Sequence, residues 1–216
     1  MHLEAVRCLV TAGPTIEPLD EVRRLTNHST GCLGCQLADA LARAGHQVTL
    51  LLSETARHRP RQKSIRIISF NTTSELHHQL RTEQSTTIRA VFHAAAVSDF
   101  RVCRILNSKT RRPIKAGKIP TQQGRLLLEL APTPKIIRQL RRWFPKAKIV
   151  GWKYEVDGSH DAALAKAREQ IKRCHTNACV ANGPGYGEGF GLVTNADTTH
   201  HSSALILIRS LIRTLP

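Results

Sequence analysis

Short apolar runs alternate along this chain with segments whose apolar positions recur every three or four residues. Val6 to Thr11, Gln47 to Leu52, Ile65 to Phe70, Ala90 to Ala95, Lys148 to Trp152 and Ala178 to Val180 are runs of the first kind. Flanked by turn residues, they read as strands buried on both faces of a parallel sheet. Leu33 to Ala44, Ser74 to Arg81, Pro134 to Trp143 and Asp161 to Arg173 carry the helical period. Gly45 is placed to stop the first of these helices, and Ser74 and Thr133 are placed to cap the next two. Ser203 to Leu215 reads as a final helix. The alternation predicts one α/β domain over residues 1–216, with a Rossmann-like open, mostly parallel sheet and helices on both faces. Residues 101–130 break the rhythm: they are basic, hold Pro113, Gly117, Pro120 and Gly124, and finish in strand-like sequence. They predict a mobile, hairpin-like insert.

The 216 residues suit one domain with a substantial core. A hydrophobic content of 41% with 22% charged residues excludes a disordered chain. No apolar stretch approaches the roughly 20 residues a bilayer span requires. The sequence turns strand-like by Val6, without the basic segment and apolar core of a signal peptide. A cytoplasmic location with no membrane partner is therefore expected. The net charge of +16, from 32 basic and 16 acidic residues, concentrates anionic ligands around the molecule. Those bases are dispersed over 57–66, 101–118 and 138–148, and aromatic residues make up 4% of the chain, too few for a stacking platform. The expected partner is a small phosphorylated substrate and not a nucleic acid. Cys32 and Cys35 stand at a predicted helix start, where the dipole lowers a thiol pKa. No second pair has zinc-ligand spacing, since the interval of Cys174 and Cys179 is wrong. Small residues at a tightly packed turn are the expected reading.

Open α/β sheets bind ligands beyond the carboxyl ends of their strands. That rule gathers Gly13 to Thr15, His93 to Phe100, Gly151 to Glu155 and Asn182 to Gly191 at one edge. In the first βα turn Gly13, Gly31 and Gly34 allow close backbone approach, and free N–H groups at the helix start point at a bound anion. The glycine spacing fits neither the P-loop nor the G-x-G-x-x-G fingerprint. Asp99 suits a substrate hydroxyl or water-mediated Mg²⁺, and equally suits a helix cap. Lys118, in a glycine-flanked loop, suits phosphate contact or plain solvation. Asn182 and Trp152 have turn and core readings beside functional ones.

Together TAGPTIEPLDEVRRLTNHSTG, AAAVSDFR, GKIP with LLLELAPTPKII, VGWKYE and VANGPGYGEGF resemble the phosphopantothenoylcysteine synthetase family, in order from about Leu3 to Phe190. The resemblance implies a ligase of coenzyme A biosynthesis. A nucleoside triphosphate, CTP or less commonly ATP, activates the carboxylate of 4′-phosphopantothenate as an acyl-nucleotide, and the amine of cysteine then attacks it. It implies Mg²⁺, a homodimer with shared sites, and a separate flavin-dependent decarboxylase in the pathway, with no flavin here. By position, Asn27 is the asparagine that binds phosphopantothenate and processes the acyl-nucleotide. Arg23 is the arginine that reaches substrate from the neighbouring subunit, and Lys118 the lysine that stabilises the α-phosphoryl transition state. Ala95, Ala96 and Asp99 match the pantothenate and metal segment. Gly13, Ser29, Gly31, Gly34, Trp152 and Asn182 match the nucleotide cradle, with Lys118 reaching the same phosphates. Cys32 replaces a frequent lysine, Thr121 a second basic loop residue, and Trp152 the usual phenylalanine. Two other readings compete. An NAD(P)-dependent reductase would want Tyr-x-x-x-Lys, but Tyr154 and Tyr186 are followed at that interval by Gly158 and Phe190. A catalytically weak, basic nucleotide- or nucleic-acid-binding protein is the third.

Overall fold

The computed structural model describes residues 4–215. Its centre is an eight-stranded sheet. In chain order the strands are β1 (Arg7–Ala12), β4 (Gln47–Ser53), β5 (Arg66–Phe70), β6 (Ile88–His93), β9 (Lys148–Tyr154), β10 (Ala178–Asn182), β11 (Phe190–Thr194) and β12 (Thr198–His201). The spatial order is β12-β11-β10-β9-β6-β1-β4-β5. Six strands run parallel, and β11 and β12 close one edge antiparallel. From β1 the chain winds outward through β4 to β5, then returns to lay β6 on the other side of β1. That reversal opens a crevice at the carboxyl ends of β1 and β6.

Helices α1 (Cys32–Arg43) and α5 (Ala204–Arg213) cover one face. Leu37, Ala38 and Leu41 of α1 and Leu207, Ile208 and Leu211 of α5 pack there on Val10, Leu50, Phe92, Val150 and Val180. On the other face α2 (Thr73–Thr82) and α3 (Leu140–Trp143) bury Leu76, Leu80, Leu140 and Trp143 against Leu9, Leu51, Val91 and Ile149. Helix α4 (His160–Cys174) lies beside them over β10 and β11. No described helix is long and apolar enough to cross a membrane.

Gly45 stops α1 with φ +90° and an amide bonded to Ala42 O, the next amide reaching Leu41 O. The other expected caps are corrected. Thr72, not Ser74, caps α2 by accepting from Glu75 N at 3.1 Å. Thr133 donates its hydroxyl to Ser98 O at 2.5 Å and caps nothing. The expected helix over 134–143 shrinks to a 3₁₀ turn (Ile136–Arg138) followed by the single turn of α3. Pro132, Pro134 and Pro145 bracket that stretch, and residues before proline are held extended. Its apolar period is real, since Ile136, Leu140 and Trp143 are buried. The strand β12, Thr-Thr-His-His, gives no apolar signal because it lies on the sheet edge and is largely polar, whereas β11, Phe-Gly-Leu-Val-Thr, is a short interior strand whose middle is buried.

Residues 100–132 form two antiparallel strands, β7 (Phe100–Asn107) and β8 (Leu126–Pro132), joined through 108–125. A second small pair, β2 (Ile16–Pro18) and β3 (Arg24–Thr26), rises from the loop after β1. The two pairs lie beside each other and form an arm at the carboxyl edge of the sheet.

Candidate functional site

The crevice between β1 and β6 widens into a cleft of about 1210 Å³. Its near wall is the start of α1. Gly31 caps this helix at φ +76°, where a side chain would be strained, and it offers no side-chain acceptor to the first turn. That turn has no acidic residue, and although Thr30 Oγ1 accepts from Cys32 N at 3.3 Å, the N–H groups of Leu33 and Gly34 and the positive end of the dipole are left to the cleft. Contact with the sheet is equally demanding. A Cβ on Gly34 would sit 2.5 Å from the Ala12 Cβ, so only glycine lets α1 seat this close to β1.

The loops after β1 and β6 are laced together. Ala96 N donates to Gly13 O, and Thr15 N returns a bond to Ala96 O, both at 3.0 Å. Asn27 donates from Nδ2 to that same Ala96 oxygen at 3.3 Å. Ser98 N donates to Thr15 Oγ1 at 2.8 Å. One rigid rim thus carries Asn27, Ser29, Gly31, Ala95, Ala96 and Asp99 into the cleft lining.

Lys135, Arg138, Lys153, Lys166 and Arg173 also line the cleft, against the carboxylates of Asp99 and Glu169. Lys135 pairs with Asp99, and Arg173 with Glu169 at 2.8 Å. Lys166 and Lys153 both hold Glu155. Burial works to raise the Glu155 carboxyl, but the two ammonium groups outweigh it and keep it below its ordinary range. Arg138 has no carboxylate partner among the described residues. The surroundings are built to receive several negative charges.

Nine of the residues singled out in the sequence line this one cleft: Asn27, Ser29, Gly31, Gly34, Ala95, Ala96, Asp99, Trp152 and Asn182. Gly13 lies just behind the wall, where a Cβ would meet Ser53 at 2.7 Å. Arg23 and Lys118 are elsewhere in the single chain, on the arm. Arg23 pairs with Asp20 and donates to Ile119 O at 2.8 Å, while Asp20 accepts from Ile119 N at 3.1 Å. Glu21 N adds a bond to Gly117 O at 2.9 Å. The turn 20–23 therefore grips the segment that bears Lys118. Thr121 lies beyond it, in a 3₁₀ turn.

Cys32 lines the cleft as the first residue of α1, and Cys35 is buried behind it. Burial pushes the Cys35 thiol up to about 11, the opposite of a reactive thiolate. All six cysteines are free. Trp152 packs against the α1-side core with its Nε1 buried and unpartnered among the described residues. The sequence places His93 at this edge without giving it a role, and it leaves the cations of α4 unmarked. The signal for the latter was present: Lys166, Glu169, Gln170 and Arg173 form a polar stripe at helical spacing.

A basic crevice at a topological switch point, walled by the start of α1, is the candidate site of this α/β domain. Residues 3–205 match the family of DNA/pantothenate metabolism flavoprotein C-terminal domains. The coenzyme A biosynthesis bifunctional protein CoaBC of Thermococcus kodakarensis is 35% identical over 181 residues, which cover 83% of this chain and 42% of that protein. The DNA/pantothenate metabolism flavoprotein of Streptococcus pneumoniae superposes with a TM-score of 0.86 at 25% identity, over 97% of each chain. A Cab2 variant in complex with phosphopantothenate-cysteine shares the fold, with a TM-score of 0.73 at 21% identity over 96% of this chain and 85% of that one. The chain belongs to the DNA/pantothenate metabolism flavoprotein C-terminal domain family. It spans less than half the length of the curated relative from Thermococcus.

Proposed function

We propose that this chain joins 4′-phosphopantothenate to cysteine through an acyl-nucleotide, consuming CTP in preference to ATP and releasing pyrophosphate. The observation that carries the proposal is the single cleft in which the open start of α1, Asn27 and the cations of α4 converge. A carboxylate is a poor electrophile, and nucleotidylation gives it a leaving group. The protein's contribution is positioning and charge neutralisation. The N–H groups at the start of α1 bind triphosphate oxygens. Lys135, Arg138 and Arg173 offset the remaining charge. The Asn27 amide, tethered to Ala96 O, donates to the acyl oxygen as charge gathers there during amine attack.

A magnesium ion bridging phosphates needs only one or two protein carboxylates. Asp99 fits that role once released from Lys135; bound there, Mg²⁺ would supply charge neutralisation to the leaving pyrophosphate. Arg23 and Lys118 complete the machinery from the arm of a second copy, in a cytoplasmic homodimer with shared sites. The test mixes the purified protein with 4′-phosphopantothenate, cysteine, Mg²⁺ and either CTP or ATP. Pyrophosphate and the cysteine adduct are expected, faster with CTP. No product from either nucleotide removes the enzymatic reading.

A further inference from the structure

His93 ends β6 at the floor of the cleft, in a row with Thr11 of β1 and Gly151 of β9. The residue is 6% exposed. The Nδ1 atom lies 3.0 Å from Thr11 Oγ1, and that oxygen also accepts the Ala95 N–H at 3.1 Å. Thr11 is fully buried, and among the described residues its hydroxyl hydrogen has no other acceptor within reach. Were Nδ1 protonated, that hydrogen would be stranded without an acceptor in a buried site, which is strongly unfavourable. Nδ1 is therefore the acceptor, and the ring proton resides on Nε2.

Burial holds the imidazole down to about 4, so the ring is uncharged near neutrality. Nε2 has no partner among the described residues. Side chains alternate along a strand. Because Gly34 of α1 abuts Ala12, the adjacent Thr11 and its row-mate His93 belong to the sheet face away from α1. The ring thus stands across the sheet from the helix start that receives phosphates, two residues before Ala95.

We infer that His93 is a ligand-binding residue that offers a fixed, uncharged Nε2–H to an acyl oxygen of the acid substrate held in the cleft. The identity of that substrate rests on the ligase reading; the tautomer does not. A cationic donor there would add to an already basic cleft and grip the ground-state carboxylate. A neutral one keeps the same hydrogen bond through activation and amine attack without changing its own protonation.

The experiment uses protein labelled with ¹⁵N at histidine. In the free protein the His93 resonances should report bare Nδ1 and protonated Nε2 from about pH 7 to about pH 5. Adding 4′-phosphopantothenate should shift the Nε2–H, whereas CTP alone should leave it nearly unmoved. A protonated Nδ1, or an imidazolium at pH 6, overturns the assignment. So does an unmoved Nε2–H when calorimetry shows the acid bound, or a shift produced by CTP and not by the acid. If neither ligand binds, the ligase reading falls and the named acceptor with it, while the free-protein spectrum still decides the tautomer. His93→Leu should raise KM for 4′-phosphopantothenate about tenfold and leave KM for CTP alone, and His93→Gln should recover most of the loss through its amide N–H. Equal damage in both variants, with unchanged KM values, would mark a purely structural residue.

Discussion

Around the cleft, backbone meets backbone: α1 touches β1 through Gly34, and the loops after β1 and β6 exchange amide bonds. The arm built from β2, β3, β7 and β8 is the opposite case. Val22 is 62% exposed and Phe100 53%, with Leu128 and Leu130 also open to solvent. At the cleft Tyr154 is the exposed large side chain, whereas the arm buries Ile105 and Ile119 but leaves four such side chains on the outside. Large apolar side chains grouped on a surface call for a partner face. The cleft positions its ligands within one chain, whereas Arg23 and Lys118 ride on the surface that still wants a neighbour. This contrast supports the shared-site proposal, in which a second copy seats the arm over a cleft it does not itself own.

The sharpest break falls on the cleft side. Asn27→Asp should lower turnover by about 10²–10³, as removal of one transition-state donor does. The fold should survive, because among the described residues the Asn27 side chain makes a single exposed bond, to Ala96 O, and its backbone bond from Ser29 N is unaffected by the substitution. Normal turnover in that variant removes the assigned role. The arm is tested by mixing. Arg23→Ala and Asn27→Asp should each be nearly inactive as pure proteins. Random exchange between two subunits then restores roughly a quarter of the sites, since each mixed dimer has one intact pair. No recovery on mixing would place Arg23 in its own subunit's site or in none.

Gly34→Ala should cost about 1–3 kcal/mol in chemical denaturation, because the new methyl must push α1 off Ala12. A change near zero would mean that the helix slides without resistance. The smallest effect belongs to the arm. Asp20 accepts from Arg23, Val22 N and Ile119 N, and the Arg23 guanidinium foremost holds its carboxyl well below the usual carboxylate range. A depressed carboxyl stabilises the fold above its unfolded value, about 3.9, and loses that contribution as pH falls toward the folded value. The grip on 117–119 should therefore be complete at neutral pH and weaken below about pH 4. Asp20→Asn should show the weakened grip already at pH 7, as faster hydrogen exchange at the Ile119 amide. Exchange equal to wild type would show that the turn 20–23 does not hold the loop.

Much of this was legible along the chain. The apolar runs marked the parallel strands within a residue or two, because the inner strands are largely buried on both faces; β5 is the exception, an edge strand whose Arg66, Ile67 and Ser69 are exposed. The glycines at 31 and 34 and the motif residues Asn27, Ala95, Ala96 and Asp99 pointed to one edge. The strand-order rule supplies that edge without coordinates. The cations of α4 were harder. Their stripe at 166, 169, 170 and 173 also reads as an ordinary solvated face, and only packing of α4 beside β9 turns it toward the cleft. The edge strand β12 lacks an apolar signature because solvent satisfies one of its sides, whereas β11 is paired on both sides and its short apolar run, Phe-Gly-Leu-Val, follows a glycine-rich turn.

By itself the sequence determined the doubly wound sheet, the glycine-dependent helix start and the family, since each depends on local periodicity or on residues close together in the chain. Tertiary structure alone decided which cations face the ligand, that Arg23 and Lys118 share an arm apart from Asn27, and which nitrogen of His93 carries the proton. Those outcomes depend on contacts between segments tens of residues apart, and on burial, which a string of residue types does not encode.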